Sequence, residues 1–342
     1  MHGFLLALLS AVLFGASTPA SKWLLGVFEP VQLAGLLYLG AALGMAPAAW
    51  LERRGAPSGR LDRANALRLA GAVLLGGVLG PVLLLLALRE SEAGSVALLL
   101  NLELAATAAL GALLFREHLG PRGRWGVAGV VLASGILAAG GGWPGLTAAS
   151  LTAAACLAWA LDNHLTALID GISAQRSTLV KGAVAGSVNL ALGALAAPLD
   201  LDLGHLAAAL ALGALSYGAS VMLYIRAAHE LGATRAQSVF ASAPFVGSAL
   251  AFALLGEPLG TKHAIALALL LPSVAALIRS QHAHPHAHQP LSHEHSHRHD
   301  DGHHTHAHPS LAAETRHSHR HEHDALRHAH PHWPDLHHRH SH

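Results

Sequence analysis

The sequence predicts an all-α integral membrane protein with ten transmembrane helices, built as two inverted five-helix repeats and followed by a disordered tail. Composition is the first reason. The 342-residue chain is 52% hydrophobic and only 12% charged, with a mean hydropathy of +0.42, whereas soluble domains carry about 25% charged residues. The second reason is that the apolar residues form runs of about 20 residues, the length that crosses the hydrocarbon core of a bilayer. The third reason is an internal repeat.

The repeated unit is an apolar run that ends in a glutamate, a Leu-Gly pair and a basic residue. Its two copies end at residues 117–122 and 257–262, where Glu117 and Glu257 lead to Arg122 and Lys262. The offset between the copies is therefore 140 residues. A long repeat of this kind indicates that the fold is assembled from two copies of one unit.

Ten apolar runs are predicted to cross the membrane, and their short connections favour a single bundle. Numbered as spans 1 to 10 in chain order, they are residues 3–23, 30–51, 64–88, 94–115, 123–139, 147–169, 178–198, 206–227, 234–255 and 261–278. Five spans per half is an odd number, so the two halves would enter the membrane in opposite directions. The predicted domains are residues 3–140 and 147–279 for the two repeats and 281–342 for the tail.

Basic residues are divided unevenly between the two predicted faces. The even-numbered connections and the start of the tail carry eleven of them: Arg53, Arg54, Arg60, Arg63, Arg116, Arg122, Arg124, Arg176, Arg226, Arg235 and Arg279. The odd-numbered connections carry three, Lys22, Arg89 and Lys262. Cytoplasmic connections are enriched in Lys and Arg. We therefore expect a multi-pass protein of the cell (inner or plasma) membrane with both termini in the cytoplasm.

These features resemble the EamA-type carriers of the drug/metabolite transporter superfamily over roughly residues 3–279. The matching segments of the first half are Phe-Gly-Ala-Ser-Thr-Pro at 14–19, Leu-Arg at 88–89, Asn-Leu-Glu at 101–103 and Glu-His-Leu-Gly at 117–120. Those of the second half are Trp-Ala-Leu-Asp-Asn at 159–163, Lys-Gly at 181–182, Ala-Pro at 243–244 and Glu-Pro-Leu-Gly at 257–260. The resemblance implies a carrier that works by alternating access, and it leaves the substrate undetermined. The second copy has Ala243 where the first has Glu103.

Polar side chains inside the predicted spans are the candidates for a substrate pathway. An ionisable group at mid-membrane is costly unless it faces a cavity or a partner. The candidates are Ser17, Thr18, Glu103, Asp162, Asn163, His164, Lys181 and Asn189. Aligning the halves places Ser17 and Thr18 at the depth of Asp162 and Asn163. Glu103 or Asp162 is the candidate proton carrier, because burial favours the protonated form of a carboxyl group.

Each candidate also has a structural interpretation, which the sequence leaves open. Glu103 would pair with Lys181 or a helix end, Asp162 would serve an orienting ion pair, and His164 would be a hydrogen-bonded packing residue. Hydroxyl and amide groups in lipid commonly bond back to carbonyls of the helices, and this applies to Ser17, Thr18 and Asn189.

The tail is predicted to be disordered and to bind metal. Of the 29 histidines, 23 lie in the last 62 residues, where apolar residues are too few for a core. Imidazole suits Zn, Ni and Co and is largely neutral near pH 7. The candidate ligands are His282, His284, His286, His288, His293, His295, His297, His299, His303, His304, His306, His308, His317, His319, His321 and His323. Low-complexity drift, or a polycation that meets anionic lipid at low pH, are the alternatives.

Several functions fit these features. The body is expected to be a secondary transporter, an exporter, of a small metabolite or of a divalent metal ion held by Asp162, Asn163, His164 and Glu103. In the alternative, the protein senses or stores metal while its body carries an organic metabolite or nothing. No enzyme is expected, because no nucleophile–base arrangement or phosphate-binding loop appears. The expected partners are the bilayer and the substrate, without nucleic acid; a homodimer stays open, and no cofactor is required beyond tail-bound Zn, Ni or Co.

Overall fold

The computed structural model describes residues 2–52, 62–114, 119–169, 172, 174–231 and 233–279, together with four segments of the tail. Ten helical stretches in these residues are long and apolar enough to cross a membrane, which confirms the predicted spans. The helices of the first half are His2–Gly15 and Ser17–Leu24 in span 1, Pro30–Glu52 in span 2, Arg63–Ala72 and Gly80–Glu90 in span 3, Ala93–Leu99 and Asn101–Leu114 in span 4, and Pro121–Gly140 in span 5.

The second half repeats this order. Its helices are Gly142–Ala167 in span 6, Ala174–Ala196 in span 7, Leu203–Gly213 and Ser220–Leu231 in span 8, Ala233–Phe240 and Ala243–Leu255 in span 9, and Thr261–Ile278 in span 10. Glu117, the counterpart of Glu257 in the repeat, lies outside the described residues.

The two halves share their irregularities as well as their helices. A π-helix, Val73–Leu79, interrupts span 3, and a second one, Ala214–Ala219, interrupts span 8. Span 4 is broken at Leu100, and span 9 is broken at residues 241–242. Single-turn π-helices are uncommon and occur often at functional sites. The recurrence of both features at the repeat offset indicates that they belong to the architecture itself.

The packing of the spans is reciprocal between the halves. Span 3 packs against span 6 as span 8 packs against span 1, and span 4 packs against span 6 as span 9 packs against span 1. Spans 2 and 7, 4 and 9, and 5 and 10 pack as matching pairs. The halves therefore interlock, and both π-helices lie at the crossings between them.

Small residues allow these crossings to be close. A Cβ atom on Gly40 of span 2 would overlap the backbone of Leu210 in span 8, and one on Gly213 would overlap the backbone of Leu37. Helices in lipid associate through such van der Waals contact, which small residues permit. The abundance of glycine in the chain thus has a direct use at the span 2–span 8 contact.

The connection between the halves is shorter than predicted. Span 6 begins at Gly142, five residues before the predicted start at residue 147, so that only Gly141 separates it from span 5. Gly142 has a φ of +63°, a left-handed conformation that glycine adopts without the steric penalty of a side chain. Pro144, which follows, is tolerated in the first turn of a helix because that turn needs no N–H from it.

The tail contains four seven-residue strands where the composition predicts disorder. They are β1 His282–His288, β2 Leu291–His297, β3 His317–His323 and β4 Leu326–His332. β1 pairs with β4 and β2 pairs with β3, both antiparallel, so that His282 lies opposite His332 and His293 lies opposite His321. Backbone pairing between distant segments forms two separate two-stranded ribbons, and an isolated ribbon of this kind is marginally stable in water. The remaining tail residues lie outside the described part of the chain.

A glycine-to-alanine pair of variants tests the close crossing of spans 2 and 8. Gly213→Ala is expected to lower the free energy of unfolding by about 1–3 kcal/mol, because the added methyl group overpacks against Leu37. Gly135→Ala is the matched control, since a Cβ atom there would meet nothing within 4 Å. The measurement is the unfolding midpoint of each purified variant in detergent micelles, and equal midpoints for the two variants would contradict the described packing.

Candidate functional site

A buried ion pair joins span 6 to span 7 beside the π-helix of span 3. The ammonium of Lys181 donates to both carboxylate oxygens of Asp162 at 2.6 Å, and the two side chains are only 16% and 8% exposed. The hydroxyl of Thr166, one helical turn along span 6, donates to the same carboxylate at 2.9 Å. Lys181 therefore neutralises Asp162 and not Glu103, which decides between the two pairings that the sequence left open.

A π-helical turn provides the space for this pair. The Asp162 carboxylate lies against Gly76, where any Cβ atom would overlap it. The carbonyl of Gly76 accepts hydrogen bonds from the Tyr38 hydroxyl and, at 3.0 Å, from the Trp159 indole N–H. A π-helix displaces carbonyls from regular intrahelical bonding, so these two side chains satisfy a group that would otherwise be unpaired in an apolar region.

Asn189 binds the same π-helix from span 7. Its amide nitrogen donates to the carbonyls of Gly77 and Val78 at 3.3 and 3.4 Å. The side chain is 1% exposed, and among the described residues its Oδ1 has no hydrogen-bond partner. The sequence allowed Asn189 to bond back to its own helix. Instead it reaches a neighbouring helix and helps to hold the π-helix in place.

Glu103 lies apart from this pair, beside Asn163. The Asn163 amide donates to Glu103 Oε1 at 3.0 Å. Glu103 is half-buried, Asn163 is exposed, and Glu103 follows the break of span 4 at Leu100 by three residues. Among the described residues Glu103 forms no salt bridge. The site therefore contains one neutralised carboxylate and one carboxylate without a cation.

Three successive polar residues of span 6 point in different directions. An α-helix turns by about 100° per residue, so Asp162 and His164 lie on different sides of the helix. His164 is 7% exposed, and its Nε2 donates to the carbonyl of Thr107 in span 4 at 3.2 Å. In the described part of the chain no group of three or more His, Cys, Asp or Glu residues could hold a metal ion. The mixed oxygen and nitrogen metal site expected from the sequence is therefore not assembled in the described body.

Ser17 and Thr18 lie at the corresponding crossing of spans 1 and 8. Both are 3% exposed and follow the interruption of span 1 at Ala16. The side chains of Ser17 and Tyr217 lie close to each other. The Tyr217 ring also packs against Phe14 and Tyr38, with centroids 5.7 and 5.9 Å apart. This crossing is thus polar and aromatic, whereas the crossing of spans 3 and 6 is charged.

Sequence reasoning missed the residues that support the ion pair. Gly76, Tyr38 and Trp159 were not among the candidate site residues, because none is ionised and aromatic residues in membrane spans usually pack. A signal was present in the sequence: the pair Gly76-Gly77 and the later Gly80-Pro81 interrupt an otherwise apolar span. Glycine pairs and prolines are common causes of helix irregularity.

The predicted metal ligands of the tail fall into two groups. Eleven lie in the strands, four in β1, three in β2 and four in β3, where the structure describes the backbone. The other five lie outside the described residues: His299, His303, His304, His306 and His308.

Comparison with known proteins places the fold and the family. The model of the EamA-like transporter family matches residues 1–139 and again residues 146–279. The chain is similar to an "Uncharacterized transporter" of Methanothermobacter thermautotrophicus, with 28% identity over 301 residues, which cover 81% of this chain and 86% of that protein. One crystal structure of a protein superposes with a TM-score of 0.58 at 17% identity, covering 81% of this chain and 98% of the other. Its similarity concerns the fold alone.

Substitutions that leave Lys181 unpaired test the buried ion pair. Asp162→Asn is expected to lower the free energy of unfolding by about 3–5 kcal/mol, because the ammonium stays buried without its partner. Adding Lys181→Gln should recover part of that loss. Glu29→Gln is the control: it breaks the Arg89–Glu29 pair, whose side chains are 47% and 55% exposed, and such pairs contribute about 0–1 kcal/mol. Equal losses for Asp162→Asn and Glu29→Gln in detergent unfolding curves would rule out a buried pair.

Proposed function

Because the chain belongs to the EamA-like transporter family, we propose that this membrane transporter exports a small metabolite by alternating access and couples that movement to a proton carried by Glu103. The observation that carries the proposal is the contrast between the two central carboxylates. Asp162 is neutralised by Lys181 at 2.6 Å, whereas the described contact of Glu103 is the neutral amide of Asn163 at 3.0 Å.

An ionised carboxylate without a neighbouring cation has a high desolvation penalty in an apolar environment. Two events can relieve this penalty. The carboxylate can take up a proton, since desolvation disfavours the ionised form, or it can bind a positively charged group of the substrate. Asn163 can serve both forms of Glu103, because an amide both donates and accepts hydrogen bonds. Asn163 is exposed on span 6, and in the proposed cycle water or substrate reaches the pair at this position. Glu103 is therefore the proposed proton carrier, and Asp162 a structural member of the pathway.

The breaks in spans 4 and 9 support alternating access. Carriers built from inverted repeats commonly place their sites at broken helices, where one half moves against the other. Here Leu100 interrupts span 4 just before Glu103, and residues 241–242 interrupt the matching span 9. The proposed movement bends these spans at their breaks and exposes the region of Ser17, Glu103 and Asn163 to one side at a time.

The proposed location is the cell membrane with both termini in the cytoplasm. The distribution of basic residues supports this orientation, because eleven lie on the even-numbered side and three on the other. The three minority residues, Lys22, Arg89 and Lys262, line one cavity, as expected if the odd-numbered connections share a face. The proposed tail function is chelation of Zn, Ni or Co on the cytoplasmic side, supported by its 23 histidines.

Transport with and without a proton gradient tests the role of Glu103. Proteoliposomes are first screened against amino acids, sugars and divalent ions to find a transported probe. With that probe, Glu103→Gln is expected to reduce gradient-driven accumulation to the level of protein-free liposomes, because glutamine carries no transferable proton, while counter-exchange of the probe continues. Glu230→Gln is the control, since Glu230 is 43% exposed and pairs with His2 away from the pathway. Gradient-driven accumulation by Glu103→Gln at wild-type level across several pH values would refute the proton-carrier role.

Deleting residues 281–342 tests the role of the tail. The deletion is expected to abolish high-capacity Zn binding in equilibrium dialysis and to leave transport of an organic probe unchanged. Zn binding by the full chain should fall as the pH drops through about 6.5, because protonated imidazole is no longer a ligand. A full-length variant with the tail histidines replaced by glutamine is the control for tail length. Undiminished Zn binding by the deletion would place the ligands elsewhere, and loss of metal-ion flux would favour a metal cargo.

A further inference from the structure

A charged cluster lies on the face formed by the odd-numbered connections. It surrounds an open cavity of about 370 Å³ whose lining includes Lys22, Arg89, Glu92, Glu257 and Lys262. These side chains come from both halves of the protein, and together with Glu90 the lining carries three positive and three negative groups. Lys22 is already engaged, because its ammonium donates to the carbonyls of Leu88 and Ser91. The contacts of the other lining residues, Glu257, Glu92 and Lys262, show how the two halves are joined at this face.

Glu257 joins span 9 to the first turn of span 4. Its Oε1 accepts the backbone N–H of Ala93 at 2.6 Å, and its Oε2 accepts the N–H of Gly94 at 2.7 Å. The first N–H groups of a helix have no partner within the helix, and hydrogen bonds from them to a carboxylate are short and strong. One side chain of the second half thus satisfies two donors of the first half.

The local sequence is suited to the hydrogen bonds between Glu257 and the first turn of span 4. Gly256 ends the helix of span 9 with a φ of +66°, the left-handed conformation that glycine adopts most readily at a helix C-terminus. The chain therefore turns directly before Glu257. On the other side, a Cβ atom on Gly94 would contact the Phe252 ring and approach Glu257 Oε2 to 3.1 Å. The contact therefore depends on a glycine on each side, Gly256 and Gly94.

A second arm of the cluster joins span 10 to the same end of span 4. Lys262 donates to Glu92 Oε2 at 3.1 Å, and the Ser95 hydroxyl donates to the same oxygen at 3.1 Å. Burial opposes ionisation of Glu92, but the hydrogen bond and charge of Lys262, with Ser95 and His263, bring its pKa below the ordinary value. The stabilisation that the Glu92–Lys262 contact provides is therefore fully present above the ordinary glutamate pKa. It is lost as the pH falls through the lowered pKa of Glu92.

His263 supports this second arm from inside the bundle. The ring is fully buried, and its Nδ1 accepts the N–H of Gly260 at 3.1 Å. Nδ1 therefore carries no proton, and Nε2 is the protonated nitrogen that donates to the Ser95 hydroxyl at 2.8 Å. The Glu92 carboxylate lies 3.6 Å from the same nitrogen. The imidazole thus holds Ser95 toward Glu92 on the inner side of the cluster.

We propose that these contacts form a latch, made of Glu257 with Ala93 and Gly94 and of Lys262 with Glu92, which holds this face of the transporter closed. The latch rests on the alternating access proposed above. Each of its contacts joins the two halves, and all of them act on the seven-residue helix Ala93–Leu99, which ends at the break of span 4. Release of the latch frees this helix to swing about Leu100 and opens a path from this face toward Glu103.

Thiol labelling of a buried reporter tests the latch without any need for transport. Cys156, the only cysteine, is first replaced by serine, and Ala97→Cys then places a reporter in the Ala93–Leu99 helix at a position that is fully buried and packs near Gly247. A membrane-impermeant maleimide is added from the side of Lys262. Glu257→Gln is expected to raise the labelling rate about tenfold, the population shift that corresponds to losing a hydrogen bond to a charged group.

Two further variants keep the labelling result decisive. Lys262→Gln removes only the second arm and should also raise the rate, which guards against misfolding of the Glu257→Gln variant. Glu90→Gln lines the same cavity without bonding to span 4, and it should leave the rate unchanged. An equal rate in all variants, or an equal rise in Glu90→Gln, would overturn the latch. Latch-dependent labelling in a protein that moves no probe would instead refute the transport proposal and leave the latch intact.

Discussion

The structure depends on burying one ion pair of the second half against the π-helix of the first half. Two charges removed from water are tolerated when they neutralise each other and their remaining hydrogen-bonding groups are satisfied. Asp162 and Lys181 meet this condition at 2.6 Å, but only because Gly76 has no side chain at the point of contact. The π-helix that presents Gly76 frees a carbonyl, which Tyr38 and Trp159 then satisfy. The ion pair therefore depends on a glycine, on the π-helix that presents this glycine and on the two aromatic side chains that satisfy the freed carbonyl.

The repeat supplies a symmetric scaffold, and the chemistry breaks that symmetry. The crossing of spans 3 and 6 recurs as the crossing of spans 8 and 1, with a π-helix at each. The first crossing carries the ion pair, while the second carries the hydroxyl of Ser17 beside Tyr217, whose ring packs against Phe14 and Tyr38. Glu103 likewise has Ala243 as its repeat counterpart. Two equivalent carboxylates would compete for one proton, so a single Glu103 suits a pathway with one defined loading site.

The sequence predicted the elements better than their mutual orientation. The ten spans and the repeat follow from local hydropathy and spacing, which do not depend on tertiary contacts. The partner of Lys181 cannot be predicted in this way, because it depends on how span 6 is rotated about its axis. Asp162, Asn163 and His164 are adjacent in the chain, but they face three different neighbours. The π-helices were missed since they result from packing at the crossings. Span 6 began earlier than predicted because Gly142 permits a turn that composition alone does not reveal, and the tail strands arise from pairing between distant segments.

The free energies needed to break the two sets of contacts indicate where the proposed motion takes place. Separating a buried ion pair leaves an uncompensated charge at a cost of about 3–5 kcal/mol, so the Asp162–Lys181 contact acts as a fixed point between spans 6 and 7. The latch consists of hydrogen bonds to partly exposed carboxylates, and a hydrogen bond to a charged group contributes about 1.5–3 kcal/mol. Water can replace those partners when the latch opens, which water cannot do at the centre. The Ala93–Leu99 helix and Glu103 lie on either side of the break at Leu100. In the proposed cycle, movement at the latch changes the access of water to Glu103 while the ion pair stays closed, which would link proton loading to the opening of one face.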